Sequence, residues 1–251
     1  MSPAGRWWRR AWRATLALAV GWASPAATQS APASPPFRPG ELALYSVEFS
    51  GVGIGSGSIR VDSGETIGGA PTWILRFAVR GGIPFFRIND VMQSWYDPAA
   101  QFSRRFTQEL QEGPKSYSRR YDFFPERLEL DERGKGTSPT VAAPLDDASF
   151  LFFVRTQPLE VGSSYEWARY FKPETNPVRL VVLRRERIRV PAGTFDAIVV
   201  QPLFKTRGIF SEGGRAEVWL ADDSTRRVLQ LRSKLSFGSL NLYLTKYTAG
   251  R

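Results

Sequence analysis

The sequence contains no cysteine and no histidine. Without cysteine there is no disulfide, thiolate nucleophile, zinc–thiolate site or lipid-modified cysteine. Without histidine there is no Ser–His–Asp or Cys–His catalysis, no imidazole metal site and no imidazole general base. Any enzyme built on this chain works with carboxylates, lysine, tyrosine or backbone amides. No stretch reaches the ~20 apolar residues that a membrane-spanning helix needs. Acidic residues are missing from residues 1–33, which hold four arginines, so the remainder carries 30 basic and 24 acidic residues, a net +6. A surplus of that size is consistent with attraction to anionic lipid, lipopolysaccharide or glycan, and equally with a solvated basic surface that has no specific partner. Nucleic acid is a poor candidate partner, because the lysines and arginines are spread through strand-like segments instead of being clustered.

What is present is ample core material. Of the 251 residues 42% are hydrophobic and 13% aromatic, too apolar for a disordered chain. At the start, RWWRRAWR (6–13) is basic, ATLALAVGWA (14–23) apolar and SPAATQSAPA (24–33) rich in small residues. That is the order of a secretory signal, with small residues fitting cleavage after Ala26 or after Ala33. Arg9-Arg10 bears a faint likeness to a twin-arginine signal, but nothing downstream looks like a cofactor loaded before export, and no cofactor is expected. ATQSAPASPP (27–36) is a Pro/Ser/Ala linker whose last residues, 34–36, lead into a single domain over 37–251.

From residue 41 the chain alternates apolar and polar residues between Gly, Pro and Asp clusters, which predicts strands. Strand candidates are 41–49, 58–62, 72–80, 90–97, 102–111, 115–124, 127–132, 164–171, 178–190, 194–204, 215–222, 227–235 and 239–247. The glycine cluster 51–57 is followed by a strand, so it reads as a turn and not as a dinucleotide loop. Pro191-Ala192-Gly193 and Asp222-Asp223-Ser224 close hairpins, and Phe237-Gly238 reads as a bend or bulge. One helix is expected over 146–157, with Asp146 or Asp147 as N-cap and Phe150, Phe153 and Val154 at helical spacing. Residues 133–145 read as a long, polar, exposed loop. The fold class is all-β, mainly antiparallel: a strongly curved sheet, open barrel or sandwich with one short helix.

Five phrases carry a family likeness: FRPGELALYSVEFSGVGIGSGSI (37–59), EGPKSYSRRYDFFP (112–125), PLDDASFLFFVRTQPLEVG (144–162), RERIRVPAGTFDAIVVQP (185–202) and RAEVWLADDSTRRVLQLRSKLSFGSLNLYL (215–244). Together and in this order they resemble the bacterial DUF3108 family of exported proteins of unknown function. The helical phrase departs from it, with Ser149 and Phe150 to Phe153 in place of smaller and Tyr-rich residues. The resemblance implies a β-rich periplasmic or cell-envelope domain and brings no catalytic or ligand residue with it.

Three features invite a function. Asp146-Asp147 and Asp222-Asp223 suggest paired carboxylates, but sequence neighbours seldom face each other across a substrate, and capping or turn formation explains both pairs. SYSRRYDFF (116–124) puts Tyr117, Arg119 and Tyr121 on one strand face, able to hold an anionic head group or sugar, or simply to form a cross-strand ladder. Phe85, Phe86, Phe150 and Phe153 are crowded in short spans, and either line a lipophilic pocket or plug the open end of a curved sheet. The expected ligand site lies between the helix and the inner sheet face, bordered by Phe85, Phe86, Trp95, Phe150 and Phe153, with Arg119 and Tyr121 as polar contacts. The leading expectation is a non-enzymatic envelope module that binds a lipid, lipopolysaccharide or glycan. The alternatives are an assembly protein that binds another envelope protein and a carboxylate-dependent hydrolase.

Overall fold

Alternating side chains and two-residue turns build most of the molecule. The structure is a computed structural model that describes residues 34–83, 86–204, 216–235 and 238–251. The leader, its cleavage positions, Phe85 and Phe237 lie outside the described residues. Strands β1 (Leu42–Phe49), β2 (Val52–Ile67), β3 (Ala70–Ile83), β4 (Phe86–Asp97), β5 (Phe102–Glu112), β6 (Lys115–Phe124), β7 (Glu129–Glu132) and β8 (Gly136–Pro139) form an antiparallel meander. After helix α1 (Ser149–Arg155) come β9 (Ser164–Trp167), β10 (Val178–Val190), β11 (Gly193–Leu203), β12 (Glu217–Ala221), β13 (Val228–Leu235) and β14 (Gly238–Thr248).

The two meanders join through their outermost strands in sequence, β1 and β14, giving one sheet in the order β8-β7-β6-β5-β4-β3-β2-β1-β14-β13-β12-β11-β10-β9. Its free edges, β8 and β9, are therefore neighbours in the chain, and α1 lies in the link between them. The sheet curls until these edges meet without a ladder. The Leu145 amide donates to the Arg169 carbonyl at 2.6 Å, the Phe171 amide to the Leu145 carbonyl at 3.0 Å, and the Thr140 hydroxyl to the Phe171 carbonyl at 2.7 Å. The result is an open barrel laced by a few bonds.

Several expectations change in detail. Only the first residue of the glycine cluster 51–57 is in a turn: Ser50 and Gly51, both at positive φ as a type I′ turn requires, make it, and residues 52–57 lie inside β2. The glycines are needed where β2 and β3 approach closely, since a Cβ on Gly55 falls 2.0 Å from the Arg80 carbonyl oxygen and one on Gly81 falls 2.2 Å from that of Ile54. The strand expected over 90–97 starts four residues earlier, Phe86 opening β4 opposite Ile83. Residues 133–145 are not one exposed loop, because β8 forms within them and Thr140, Pro144 and Leu145 are buried. The hairpin turns at Pro191-Ala192 and Asp222-Asp223-Ser224 form as the turn residues predict.

The helix differs most. It is three residues shorter than expected at its start, two shorter at its end, and all seven of its residues are buried. A helix lying across a barrel mouth buries one stripe, whereas one apolar all round is surrounded on every side. Phe152 packs on Phe37 (ring centroids 4.9 Å apart), Phe150 on Phe204 (4.7 Å) and Phe153 on Trp167 (5.2 Å). The helix is the filling of the barrel.

Candidate functional site

The start of α1 organises a buried polar cluster. Asp146 Oδ1 accepts the amides of Ala148 and Ser149 at 2.9 Å each, and the Ser149 hydroxyl accepts the Asp146 amide at 2.8 Å. This reciprocal pair is a capping box that begins the helical hydrogen bonding at Asp146. A hydroxyl chain continues from it, Ser94 donating to Ser103 and Ser103 to Ser149, both at 2.9 Å. All four side chains are fully buried. Asp146 Oδ2 and the Tyr96 hydroxyl have no hydrogen-bond partner among the described residues. Burial pushes the Asp146 carboxyl up to about 6, against the lowering effect of the Ser149 amide and the serine hydroxyls.

Asp147 turns the other way. Its Oδ1 accepts the Tyr170 hydroxyl at 2.9 Å and its Oδ2 accepts Gln108 Nε2 at 3.1 Å. Burial raises its carboxyl, while the Tyr170 hydroxyl and the charge of Lys172 oppose the shift. The two neighbouring carboxylates thus serve a cap and a side-chain bridge, and do not face each other across a cleft.

Gln108 stands opposite Arg119, and Phe106 opposite Tyr121, on β5 and β6. Tyr121 is 2% exposed and stacks on Phe106 and Phe171. Burial pushes its hydroxyl up, Glu132 adds to this, and the Arg119 guanidinium opposes it. Arg119 shares this strand face but is exposed, its guanidinium 5.7 Å over the Tyr117 ring. Residues 115–119 are exposed on both faces, so the β5–β6 hairpin rises above the packed interior and carries Tyr117 and Arg119 beyond it.

At its far end α1 closes with Arg155, whose Nη1 and Nη2 donate to the two Glu41 oxygens at 2.7 and 3.0 Å. Nη2 also donates to the Thr225 carbonyl at 2.8 Å. The guanidinium sits 5.1 Å over the Phe37 ring and 5.3 Å over the Phe152 ring. Both charged side chains are almost wholly excluded from solvent, so their pairing decides whether the helix end is tolerated.

Among the described residues, those expected to border a ligand are therefore not gathered around a cavity. Phe150 and Phe153 share the helix and pack on Trp167, but inside a filled interior. Trp95 points outward under the Arg105 guanidinium, 5.5 Å away, and its neighbour Tyr96 takes the inward position. Phe85 and the side chain of Phe86 lie outside the described residues. The space bordered by Ile59, Phe77, Asp147, Leu151, Phe152 and Arg155 is about 10 Å³, room for roughly one water molecule. Sequence reasoning passed over Gln108, Tyr170, Glu41 and Arg155. An arginine closing an otherwise apolar helix was the available signal for a buried acid elsewhere in the chain.

Comparison with known proteins follows this architecture. The family model described as "Protein of unknown function (DUF3108)" matches residues 44–245. The chain is similar in fold to a β-barrel-like protein of the domain of unknown function DUF1849 from Brucella abortus. The two share 10% identity at a TM-score of 0.55, over 84% of this chain and 98% of that one. A Bacteroides fragilis protein with a YmcC-like fold aligns over 85% of this chain and 97% of its own at 12% identity, with a TM-score of 0.30. No curated protein matches the chain.

Proposed function

The chain belongs to the DUF3108 family, and we propose that it serves as an exported, non-enzymatic binding module of the cell envelope. Its ligand is an anionic or amphipathic envelope molecule: a lipid, a lipopolysaccharide or a glycan. The signal-like leader and the net positive remainder of the sequence support export and an anionic ligand. The observation that carries the reading is the hairpin of β5 and β6. Tyr117 and Arg119 stand exposed on its inward-turned face, immediately above the buried Tyr121. A guanidinium is a fork-shaped donor for phosphate or carboxylate, and the tyrosine ring offers a face for a sugar or an acyl chain. Because the helix fills the barrel, the ligand is held at this mouth and not in a lumen.

Thermal-shift titration with short-chain anionic phospholipid, lipopolysaccharide and envelope glycans tests the reading. Stabilisation by one of them, weakened in Arg119→Ala, is the expected result. No stabilisation by any of them, and no molecule carried through native mass spectrometry of the purified protein, overturns it.

A further inference from the structure

One end of the barrel differs from the other in a way the binding reading does not use. In the meander β1–β6 the turns at Ser50-Gly51 and Gly113-Pro114 lie at the same end as the Ile83–Phe86 pair that ends the β3–β4 ladder. The β13–β14 hairpin joins them, since the Ser50 amide donates to the Ser239 carbonyl at 2.8 Å. Val52, beside the first turn, is 63% exposed, and Tyr117 on the third hairpin is 38% exposed. Ile54 and Ile88 stand half-buried on the strands between them. Around these apolar positions Arg80, Arg87, Lys115, Arg119 and Lys234 are all exposed, and none forms an ion pair among the described residues. Acids on the neighbouring strands include Glu48, Asp90 and Glu109. Of these, Asp90 accepts the Gln111 amide and Glu109 accepts the Ser118 hydroxyl.

We propose that this end of the barrel docks on an anionic lipid surface, with the tips at Ser50-Gly51 and Gly113-Pro114 entering the head-group layer and the cations pairing with lipid phosphates. The inference rests on the binding reading above and adds the aggregate form of the ligand. A protein partner needs a continuous patch of ~800 Å² per side. The apolar side chains here are instead single and distributed over separate hairpins. A lipid interface accepts separate tips, draws basic residues to its negative surface potential, and favours tyrosine at head-group depth.

The test uses the protein purified from the envelope fraction and vesicles of 30% phosphatidylglycerol in phosphatidylcholine, with pure phosphatidylcholine alongside. Cosedimentation with the anionic vesicles only, reduced by high salt, is expected. Val52→Asp is expected to lower the partition coefficient at least tenfold. Leu128→Asp, which changes another exposed apolar residue at the opposite end (52% exposed), is expected to leave it unchanged. Equal binding by Val52→Asp and wild type, or equal loss in both variants, overturns the docking surface. Dihexanoyl-phosphatidylglycerol below its micelle concentration separates the two readings. If it stabilises the protein while vesicles do not bind, the docking inference falls and the binding reading stands. If neither binds, both fall.

Discussion

The two ends of the barrel are made from the same hairpins, yet they spend their charges differently. At the end formed by the turns Gly68-Gly69, 98–101 and 222–227, carboxylates hold the chain together. Asp97 Oδ1 accepts the amides of Ala99 and Ala100, and its Oδ2 pairs with Arg104 at 2.7 Å. Arg105 bridges Glu65 and Asp122, and Asp223 orders its turn through Thr225 and Arg227. On the hairpins around the Ser50-Gly51 and Gly113-Pro114 turns, Arg80, Arg87, Lys115 and Arg119 form no ion pair with a carboxylate among the described residues. The first pattern closes a structure internally, whereas the second leaves charge available for something outside it.

The largest expected effect lies where the closed side reaches into the interior. Arg155→Ala leaves Glu41 buried and unpaired, and is expected to cost about 3–5 kcal/mol of stability in urea unfolding. A cost under about 1 kcal/mol would break the claim that charge pairing locks this side of the molecule.

Asp146 sharpens the comparison, because its burial works against stability instead of for it. Its folded carboxyl is raised from the ordinary 3.8 to about 6, so the folded state binds the proton more tightly. The contribution is full below about pH 4 and is lost as pH rises through about 6, an effect of roughly 3 kcal/mol. Asp146→Asn keeps an oxygen for the cap and cannot ionise. Its stability, measured from pH 4 to 7.5 against wild type, is expected to gain on the native protein across that window. Parallel curves would show that Asp146 titrates normally.

Smaller effects separate the ends themselves. Glu65→Ala removes one arm of the Arg105 bridge, whose glutamate is mostly exposed, and is expected to cost less than about 1 kcal/mol and to matter less in high salt. Arg119→Ala, at the open end, is expected to change stability by no more than about 0.5 kcal/mol while weakening ligand binding. Calorimetry on these two variants checks whether one end serves folding and the other recognition.

Much of the architecture was legible in the sequence because strands and tight turns are local. Alternation located nearly every strand, and Pro191-Ala192-Gly193 and Asp222-Asp223-Ser224 marked hairpins through their turn chemistry. The candidate site was legible only in part. Arg119 and Tyr121 were picked out as neighbours on one strand face, and the structure places them so. Trp95 failed by one residue: β4 alternates without interruption, Ser94 and Tyr96 facing in and Trp95 out, and the register shift beside them lies on β5, where Arg104 is the extra residue.

What the sequence determined by itself is what depends on neighbours along the chain: all-β class, hairpin turns, a helix begun at Asp146 or Asp147, and chemistry without thiol or imidazole. Tertiary structure alone decided that β1 pairs with β14, which puts both free edges in mid-chain and makes the link between β8 and β9 pass through the barrel. That closure surrounds α1 on every side, joins Arg155 to Glu41 across 114 positions of sequence, and replaces an expected cavity with aromatic packing. Long-range pairing of this kind follows from total buried area and chain closure, which no local pattern encodes.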